Sequence, residues 1–209
     1  MSNVQNLNTK MMVWSFPFVV AAVLISWRFI DAWLAATVFE LLKSSGLLRT
    51  SVSDIPDVLF VLVCIGSAVL WSRYFVLKKR KVCNAQVQFC KIAGSVLFLS
   101  YFLKWFLKIV FGRINTRIWL AHPVSDNFHW FQGGGSYSSF PSGHMTVFTA
   151  FFVSLWLIYP RYRTISIGFI LALAAALIAT DYHFLSDIIA GVYLGLIITI
   201  STKAILLKT

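Results

Sequence analysis

Long apolar runs constrain this chain more than any other feature of its sequence. Several stretches carry about 20 largely apolar residues, the length an α-helix needs to cross a hydrocarbon core roughly 30 Å thick. The 209 residues are 59% hydrophobic and only 12% charged, which is too little charge to cover the surface of a soluble domain of this size. The sequence therefore predicts an all-α integral membrane protein.

The apolar runs predict six transmembrane helices with an interfacial helix after the first. The spans cover about residues 12–27, 58–77, 92–110, 142–159, 165–180 and 187–207. Residues 30–48 mix Asp31, Glu40 and Lys43 with apolar side chains, which favours a helix that lies in the membrane interface. No small-residue cleavage site follows the first run, so we interpret it as an uncleaved span and not as a signal peptide.

The distribution of basic residues predicts the orientation of the bundle. Six spans put both termini on one side, and a cytoplasmic assignment places Lys78–Lys81, Arg161 and Arg163 inside, as the positive-inside rule requires. The acidic residues then lie at or near the outer face. The net charge of +11 is explained by this topology, so we expect no nucleic-acid partner. We predict a multi-pass protein of the bacterial inner membrane with both termini in the cytoplasm.

Cysteine and metal patterns are weak. Cys64, Cys83 and Cys90 form no CxxC or Cys/His pattern, so we expect no disulfide and no structural metal. No group of His, Asp and Glu has the spacing of metal ligands, and we therefore expect chemistry without a metal or another cofactor.

The strongest chemical signal is Pro141-Ser142-Gly143-His144, where a polar segment becomes a membrane helix. A helix N-terminus attracts phosphate through its unpaired N–H groups and its dipole, and Gly143 lets an anion approach the backbone. Ser142 is suited to cap the helix or to donate to an anion, and His144 to hold a proton near neutral pH. The alternative is an ordinary serine cap beside an interfacial histidine.

The second signal is the pair His183 and Asp187, four residues apart. One helical turn brings them to one face, where a carboxylate fixes the imidazole tautomer and leaves the other ring nitrogen free to attack. The alternative is that Ser186 and Asp187 only start the sixth span, with His183 in the preceding loop. The two residues remain close in that case as well.

Basic side chains form the third signal. Lys104 and Lys108 share one face of the third span, and Arg113 and Arg117 follow it. Such groups are the usual partners of phosphate oxygens, although snorkelling at a helix end is the alternative. The predicted topology brings these cations and both histidines to the outer face, an arrangement suited to phosphoryl transfer.

These segments resemble the motifs of the type 2 phosphatidic acid phosphatase (PAP2) superfamily of lipid phosphatases. Residues 139–144, SFPSGH, match its second motif, and residues 183–191, HFLSDIIAG, resemble the end of its third. The resemblance covers about residues 104–195, the active-site segments of a single PAP2-like catalytic domain. Residues 1–57 then hold the first span, the interfacial helix and a polar break, and residues 58–209 the five remaining spans.

The resemblance also implies a role for each candidate. His183 would be the nucleophile that forms a phosphohistidine, Asp187 its partner, and His144 the acid that protonates the leaving group. The phosphate-binding residues implied by position are Lys108, Arg113, Ser142, Gly143 and, as a substitute, Arg117.

Two positions depart from the family pattern. The Arg-Pro pair of the first motif falls on Asn115-Thr116, and the arginine of the third motif falls on Leu177. Either another cation, Arg117 or Lys104, takes over, or the activity is weak or altered.

The resemblance implies hydrolysis of a lipid phosphate or pyrophosphate on the outer side of the membrane. Undecaprenyl pyrophosphate, phosphatidylglycerol phosphate, phosphatidate and lipid A phosphates all fit this geometry, and the loop 127–140 is where we expect head-group selectivity. Two alternatives stay open. The first is a phosphotransferase that passes the phosphate from one lipid to another. The second is a non-catalytic protein, either a transporter or a lipid-binding member of the family.

Overall fold

The computed structural model of the chain describes residues 2–45, 55–124 and 127–207. These residues form eight α-helices: α1 (Ser2–Ile25), α2 (Asp31–Ser44), α3 (Ile55–Lys79), α4 (Ala85–Phe111), α5 (Thr116–Ala121), α6 (Gly143–Ile158), α7 (Arg163–Ala179) and α8 (Leu185–Leu206). Strand pairing in the described part is limited to one isolated bridge, between Arg113 and Phe128. The all-α prediction is confirmed.

Five helical segments have the length and hydropathy to cross a membrane. They are Met12–Ser44, Val58–Lys79, Ala85–Phe111, Pro160–Ala179 and Leu185–Leu206. The fourth predicted span corresponds to α6, which is apolar but has only 16 residues, a length of about 24 Å. The chain is therefore a multi-pass membrane protein, with five helices of full spanning length in the described part and a shorter sixth.

The N-terminal region differs from the prediction. No break separates the first span from the following helix, because a π-helical turn, Ser26–Ile30, continues α1 into α2. Such a turn keeps the backbone hydrogen-bonded while it shifts the helix register. Asp31, which we placed in an interfacial helix, is buried. Most of the predicted polar break after α2 lies outside the described residues.

Helix α6 packs against α4, α7 and α8, and its contact with α8 is close. A Cβ at Gly191 would lie 2.7 Å from the Ser142 carbonyl oxygen, and one at Gly195 would lie 2.7 Å from that of Thr146. Small residues four apart let helix backbones approach in this way. The backbone N–H of Ser142 also donates to the Asp187 carbonyl at 3.0 Å, so the starts of α6 and α8 lie side by side.

The loop from residue 127 to residue 140 folds back over the end of α4. The His129 N–H donates to the Gly112 carbonyl at 3.0 Å, and the Ser139 N–H donates to that of Arg113 at 3.0 Å. Gly112 has φ +52°, and a Cβ there would collide with the His129 carbonyl, so the turn requires glycine. The loop thereby delivers Ser139 and the α6 N-terminus to the end of α4.

Candidate active site

His183 lies in the loop before α8, and Asp187 lies in the first turn of that helix. Their side chains still meet, because His183 Nδ1 lies 3.4 Å from Asp187 Oδ2. The same oxygen accepts from the Phe184 N–H at 3.2 Å. Both side chains are buried, so the carboxylate is held by the start of its own helix while it faces the imidazole.

Ser139 contacts both His183 and Asp187, and it was not singled out from the sequence. Its hydroxyl donates to Asp187 Oδ2 at 2.5 Å and lies 3.3 Å from His183 Nδ1. Ser139 belongs to the matched segment 139–144 but stands outside its Pro-Ser-Gly-His core. Its contact with Asp187 depends on how the loop 127–140 folds over the end of α4, which the sequence pattern does not show.

His144, in the first turn of α6, lies beside His183. The two ring centroids are 6.4 Å apart, and the Tyr182 ring lies 5.4 Å from that of His144. Among the described residues, the buried Nε2 of His144 finds no hydrogen-bond partner. The structure thus brings two imidazoles from different elements to one place and leaves a polar atom of one of them for a ligand.

Two lysines from α4 approach the same place. Lys104 is only 7% exposed, and its side chain fills the space beside Gly143, where a Cβ would lie 2.8 Å from its Cδ and 3.2 Å from its Nζ. It therefore points into the bundle and does not snorkel. Lys108, one turn later on the same face, is close enough for its charge to lower the pKa of His183.

Ser142 and Gly143 form the N-terminus of α6 between these groups. Ser142 is the N-cap, and its Oγ accepts from the Met145 N–H at 3.4 Å. The capping role that we weighed against anion binding is therefore present, and the hydroxyl hydrogen is still available to donate.

Arg113, a predicted phosphate-binding residue, is paired with two carboxylates in the structure. Its side chain is fully buried. One terminal nitrogen donates to Asp187 Oδ1 at 2.5 Å, and the other donates to Asp31 Oδ2 at 2.8 Å. The guanidinium carbon lies 5.1 Å from the Phe128 ring centroid and 4.3 Å from that of Phe184. The group is therefore occupied by carboxylates and flanked by aromatic rings.

Arg117 and Leu177 are the residues to inspect at the two departures from the family pattern, because Arg117 is a candidate substitute cation and Leu177 stands where the third-motif arginine is expected. Arg117 donates from Nε and a terminal nitrogen to the Thr180 carbonyl, at 3.3 and 2.8 Å, and lies 5.5 Å from the Tyr182 ring. It stands beside the loop that carries His183. Leu177 belongs to an apolar cluster with Met145 and Ile188, so the position of the third-motif arginine is filled by hydrocarbon.

The electrostatic setting favours a neutral His183. Burial lowers the pKa of this imidazole below its usual 6.5, and the hydrogen bond and charge of Asp187 act against that shift. The charges of Lys108 and Arg113 lower the pKa further. A neutral imidazole with a carboxylate on one nitrogen has the form that nucleophilic attack requires.

Comparison with known proteins bears on this arrangement. The model of the PAP2 superfamily matches residues 89–208, more than half of the chain and every residue of the site from Lys104 to Asp187. The chain belongs to the PAP2 superfamily. Asp31 lies outside the region that carries this PAP2 match.

Two curated relatives of this PAP2 chain are lipid A 1-phosphatases. The protein from Rhizobium etli is 31% identical over 145 residues, which are 64% of this chain and 60% of the relative. The one from Rhizobium johnstonii is 32% identical over 120 residues, 54% of this chain and 47% of the relative. The chain thus spans between about half and three-fifths of the length of these relatives.

One solved structure is also similar. It is the first transmembrane PAP2 type phosphatidylglycerolphosphate phosphatase from Bacillus subtilis, with a TM-score of 0.49 and 18% identity. The alignment covers 94% of this chain and 96% of that one.

Proposed function

We propose that this chain is a lipid phosphatase that removes phosphate from a lipid phosphomonoester or pyrophosphate through a phosphohistidine at His183. The observation that carries the proposal is the pairing of His183 with Asp187 at 3.4 Å, beside His144 at a ring distance of 6.4 Å. Membership of the PAP2 superfamily and the names of the two curated relatives support it.

In the first step, Nε2 of neutral His183 attacks the phosphorus while the bond to the lipid oxygen breaks. His144, which the negative charge of the bound phosphate holds in its protonated form, gives its proton to that oxygen, so the lipid leaves as a neutral alcohol or, from a pyrophosphate, as a monophosphate. The phosphoimidazole gains positive charge. Asp187 stabilises this charge through Nδ1, as the aspartate of a nucleophile–base pair does.

In the second step, water attacks the phosphorus and the N–P bond breaks. His144, now neutral, takes the proton of that water and returns to its starting form. Inorganic phosphate leaves, and His183 is again neutral. Each of the three groups thus ends the cycle in the protonation state in which it began.

Phosphate oxygens are bound in this proposal by Lys108, by Lys104 and by the N–H groups at the start of α6. These cations and N–H groups neutralise the charge of the transferring group. Lys104 takes the place of a missing motif arginine because its side chain lies against Gly143. Arg117 completes the set at the loop edge, whereas Arg113, engaged with Asp187, positions that carboxylate.

The lipid character of the substrate is supported by an apolar cavity of about 400 Å³ between α1, α4 and α8. Pro141 and Ser186 line it, one residue away from Ser142 and Asp187. Hydrocarbon chains have room there beside the site. Lipid A 1-phosphate is the first substrate to test, because the curated relatives are named for that activity, and phosphatidylglycerol phosphate is the second.

The proposed location is the bacterial inner membrane, with the site on the periplasmic side and both termini in the cytoplasm. The Lys78–Lys81 run, which begins in the last turn of α3 and continues into the turn before α4, supports this orientation, since basic residues collect at the cytoplasmic ends of membrane helices. The site residues lie at the opposite end of α4 from that run.

The test is phosphate release by the detergent-solubilised protein from lipid A 1-phosphate, phosphatidylglycerol phosphate, phosphatidate and undecaprenyl pyrophosphate. We expect release from at least one lipid, insensitivity to EDTA, and loss of activity in His183→Ala and in His144→Ala. His122→Ala is the matched control, because that histidine is exposed at the end of α5.

Unchanged activity in either site variant contradicts the proposal. Transfer is distinguished from hydrolysis by supplying a second lipid as acceptor. Phosphate that appears on the acceptor, and not in solution, would replace hydrolysis with transfer.

A further inference from the structure

Asp31 is a buried carboxylate that the proposed mechanism does not use. It is the first residue of α2 and is 2% exposed. A carboxylate buried within a membrane protein is costly unless it is paired. Asp31 lies outside residues 89–208, the range of the family match.

Asp31 forms hydrogen bonds to Ser186 at the start of α8 and to Arg113 after α4. Oδ1 accepts from the Ser186 N–H at 3.0 Å. Oδ2 accepts from the Ser186 hydroxyl and from an Arg113 terminal nitrogen at 2.8 Å. Both oxygens are therefore used, and their partners come from segments 82 and 155 residues away in sequence.

Arg113 continues this chain of contacts to the nucleophile. Its other terminal nitrogen donates to the Ser186 hydroxyl oxygen at 2.6 Å and to Asp187 Oδ1 at 2.5 Å, while Asp187 Oδ2 faces His183. One guanidinium is thus shared by two carboxylates. A shared cation neutralises Asp187 less than an exclusive one would, so more negative charge remains for the imidazole.

We propose that Asp31 is a positioning residue for the phosphoryl transfer, which acts on His183 through Arg113, Ser186 and Asp187. The inference rests on the proposed function. Asp31 does not reach the substrate site. It fixes the guanidinium and the first turn of α8, and these hold the Asp187 carboxylate toward Nδ1 of His183.

A positioning residue differs in its measurable effects from a merely structural ion pair. A structural pair would affect folding and leave the chemistry of the folded protein unchanged. A positioning residue affects the chemical step and the titration of the nucleophile, while ground-state binding of the lipid is retained. Among the described residues, the charged and titratable groups that face His183 are Asp187 from α8, Lys108 from α4, Arg113 from the segment after α4, His144 from α6 and the neighbouring Tyr182.

The test is the variant Asp31→Asn in the full-length protein, assayed on the lipid that the wild-type protein hydrolyses fastest. Asparagine keeps the volume and an acceptor for the Ser186 N–H but removes the charge. We expect kcat to fall on the order of tenfold, as for other groups that orient a catalytic side chain, with KM unchanged. The acid limb of the pH profile should move to lower pH, because a carboxylate that favours the protonated imidazole is lost.

Glu40→Gln is the matched control, because Glu40 lies on the same helix and is exposed, so its kinetics should equal those of the wild type. Ser186→Ala is a second variant that keeps all charges and removes the hydroxyl between Asp31 and Arg113. It should lower kcat less and leave the acid limb in place. It also serves as the test if Asp31→Asn is not recovered as folded protein.

Wild-type kcat in folded Asp31→Asn overturns the inference, and so does a lowered kcat with an unmoved acid limb. If only Ser186→Ala folds, wild-type kcat in that variant overturns it as well. The proposed function is judged separately. A wild-type protein that releases no phosphate, or a His183→Ala variant that still does, rejects the function before Asp31 is considered.

Discussion

At the residue scale, Gly143 decides where the ammonium group of Lys104 lies. A methyl group at Gly143 would meet the Lys104 side chain at 2.8 and 3.2 Å and displace it, because the far end of a lysine is flexible. We predict that Gly143→Ala lowers kcat/KM roughly tenfold to a hundredfold, the effect of losing a charge-assisted contact with phosphate. The measurement is phosphate release against substrate concentration.

Gly168→Ala on α7 is the matched control for this change, because nothing lies within 4 Å of the added Cβ. Its kinetics should equal those of the wild type. If Gly143→Ala is folded and also retains wild-type kcat/KM, Lys104 does not bind the phosphate.

The titration of His183 gives a second prediction. Its pKa is lowered by burial, and the effects of Lys108 and Arg113 add to this while Asp187 opposes it. The attacking form is neutral, so activity is present above this pKa and is lost as the pH falls through it. We predict that the acid limb of kcat/KM lies below pH 6.5, the usual histidine value.

Asp181 is the group most easily confused with His183 in that profile. Burial raises the pKa of this carboxyl to about 6, against the effect of Arg117. In Asp181→Asn the acid limb should stay where it is in the wild type. A limb that disappears in this variant would assign the titration to Asp181, and one above pH 6.5 would contradict a buried, neutral His183.

Residue pairs close in sequence were predictable, and distant ones were not. The spacing of His183 and Asp187 indicated their contact even with His183 in a loop, because one turn separates them. Asp31 bonds to Ser186 from 155 residues away, and Ser139 bonds to Asp187 from 48 residues away, through packing that no local pattern records. The only sequence signal for the role of Asp31 was a charged residue within an apolar segment. That signal is equally typical of an interfacial helix.

At the element scale, the cavity between α1, α4 and α8 predicts a dependence on the length of the lipid chain. Ala190 of α8 lines this cavity, and Ala190→Leu would fill part of it. We predict a higher KM for long-chain substrates and little change for a short-chain analogue, since only the long chain needs the space. The measurement is a comparison of the two KM values in one detergent.

Ala172→Leu on α7 adds the same side chain at an exposed position and should change neither KM value. Equal effects of Ala190→Leu on long-chain and short-chain substrates would exclude the cavity as a tail site.

The spans were predictable because length and hydropathy alone define them. The continuous connection between α1 and α2 was not predictable, because the composition of residues 26–30 does not distinguish a π-helical turn from a loop. A mixture of polar and apolar residues also does not tell whether the polar face meets water or another helix. Asp31 meets α8, which turns an apparent surface feature into a buried contact.

At the scale of the whole molecule, the proposed orientation is testable with a native thiol. Cys83 is exposed in the segment between α3 and α4, which the orientation places in the cytoplasm. A membrane-impermeant maleimide should label it only after the cells are permeabilised. Cys83→Ser should remove this labelling.

Gln132→Cys in the Cys83→Ser background is the control for the other side, because Gln132 is exposed in the loop 127–140. It should be labelled in intact spheroplasts. Labelling of Cys83 in intact spheroplasts would reverse the topology and place the site in the cytoplasm.

The central claim is the covalent phosphohistidine, and a rapid acid-free quench of the reaction with lipid labelled in its phosphate tests it most directly. We predict a base-stable, acid-labile label on the wild-type protein, mapped by peptide sequencing to His183 and absent from His183→Ala. Phosphate release at the wild-type rate without any labelled protein, or a label mapped to another residue, would contradict the account.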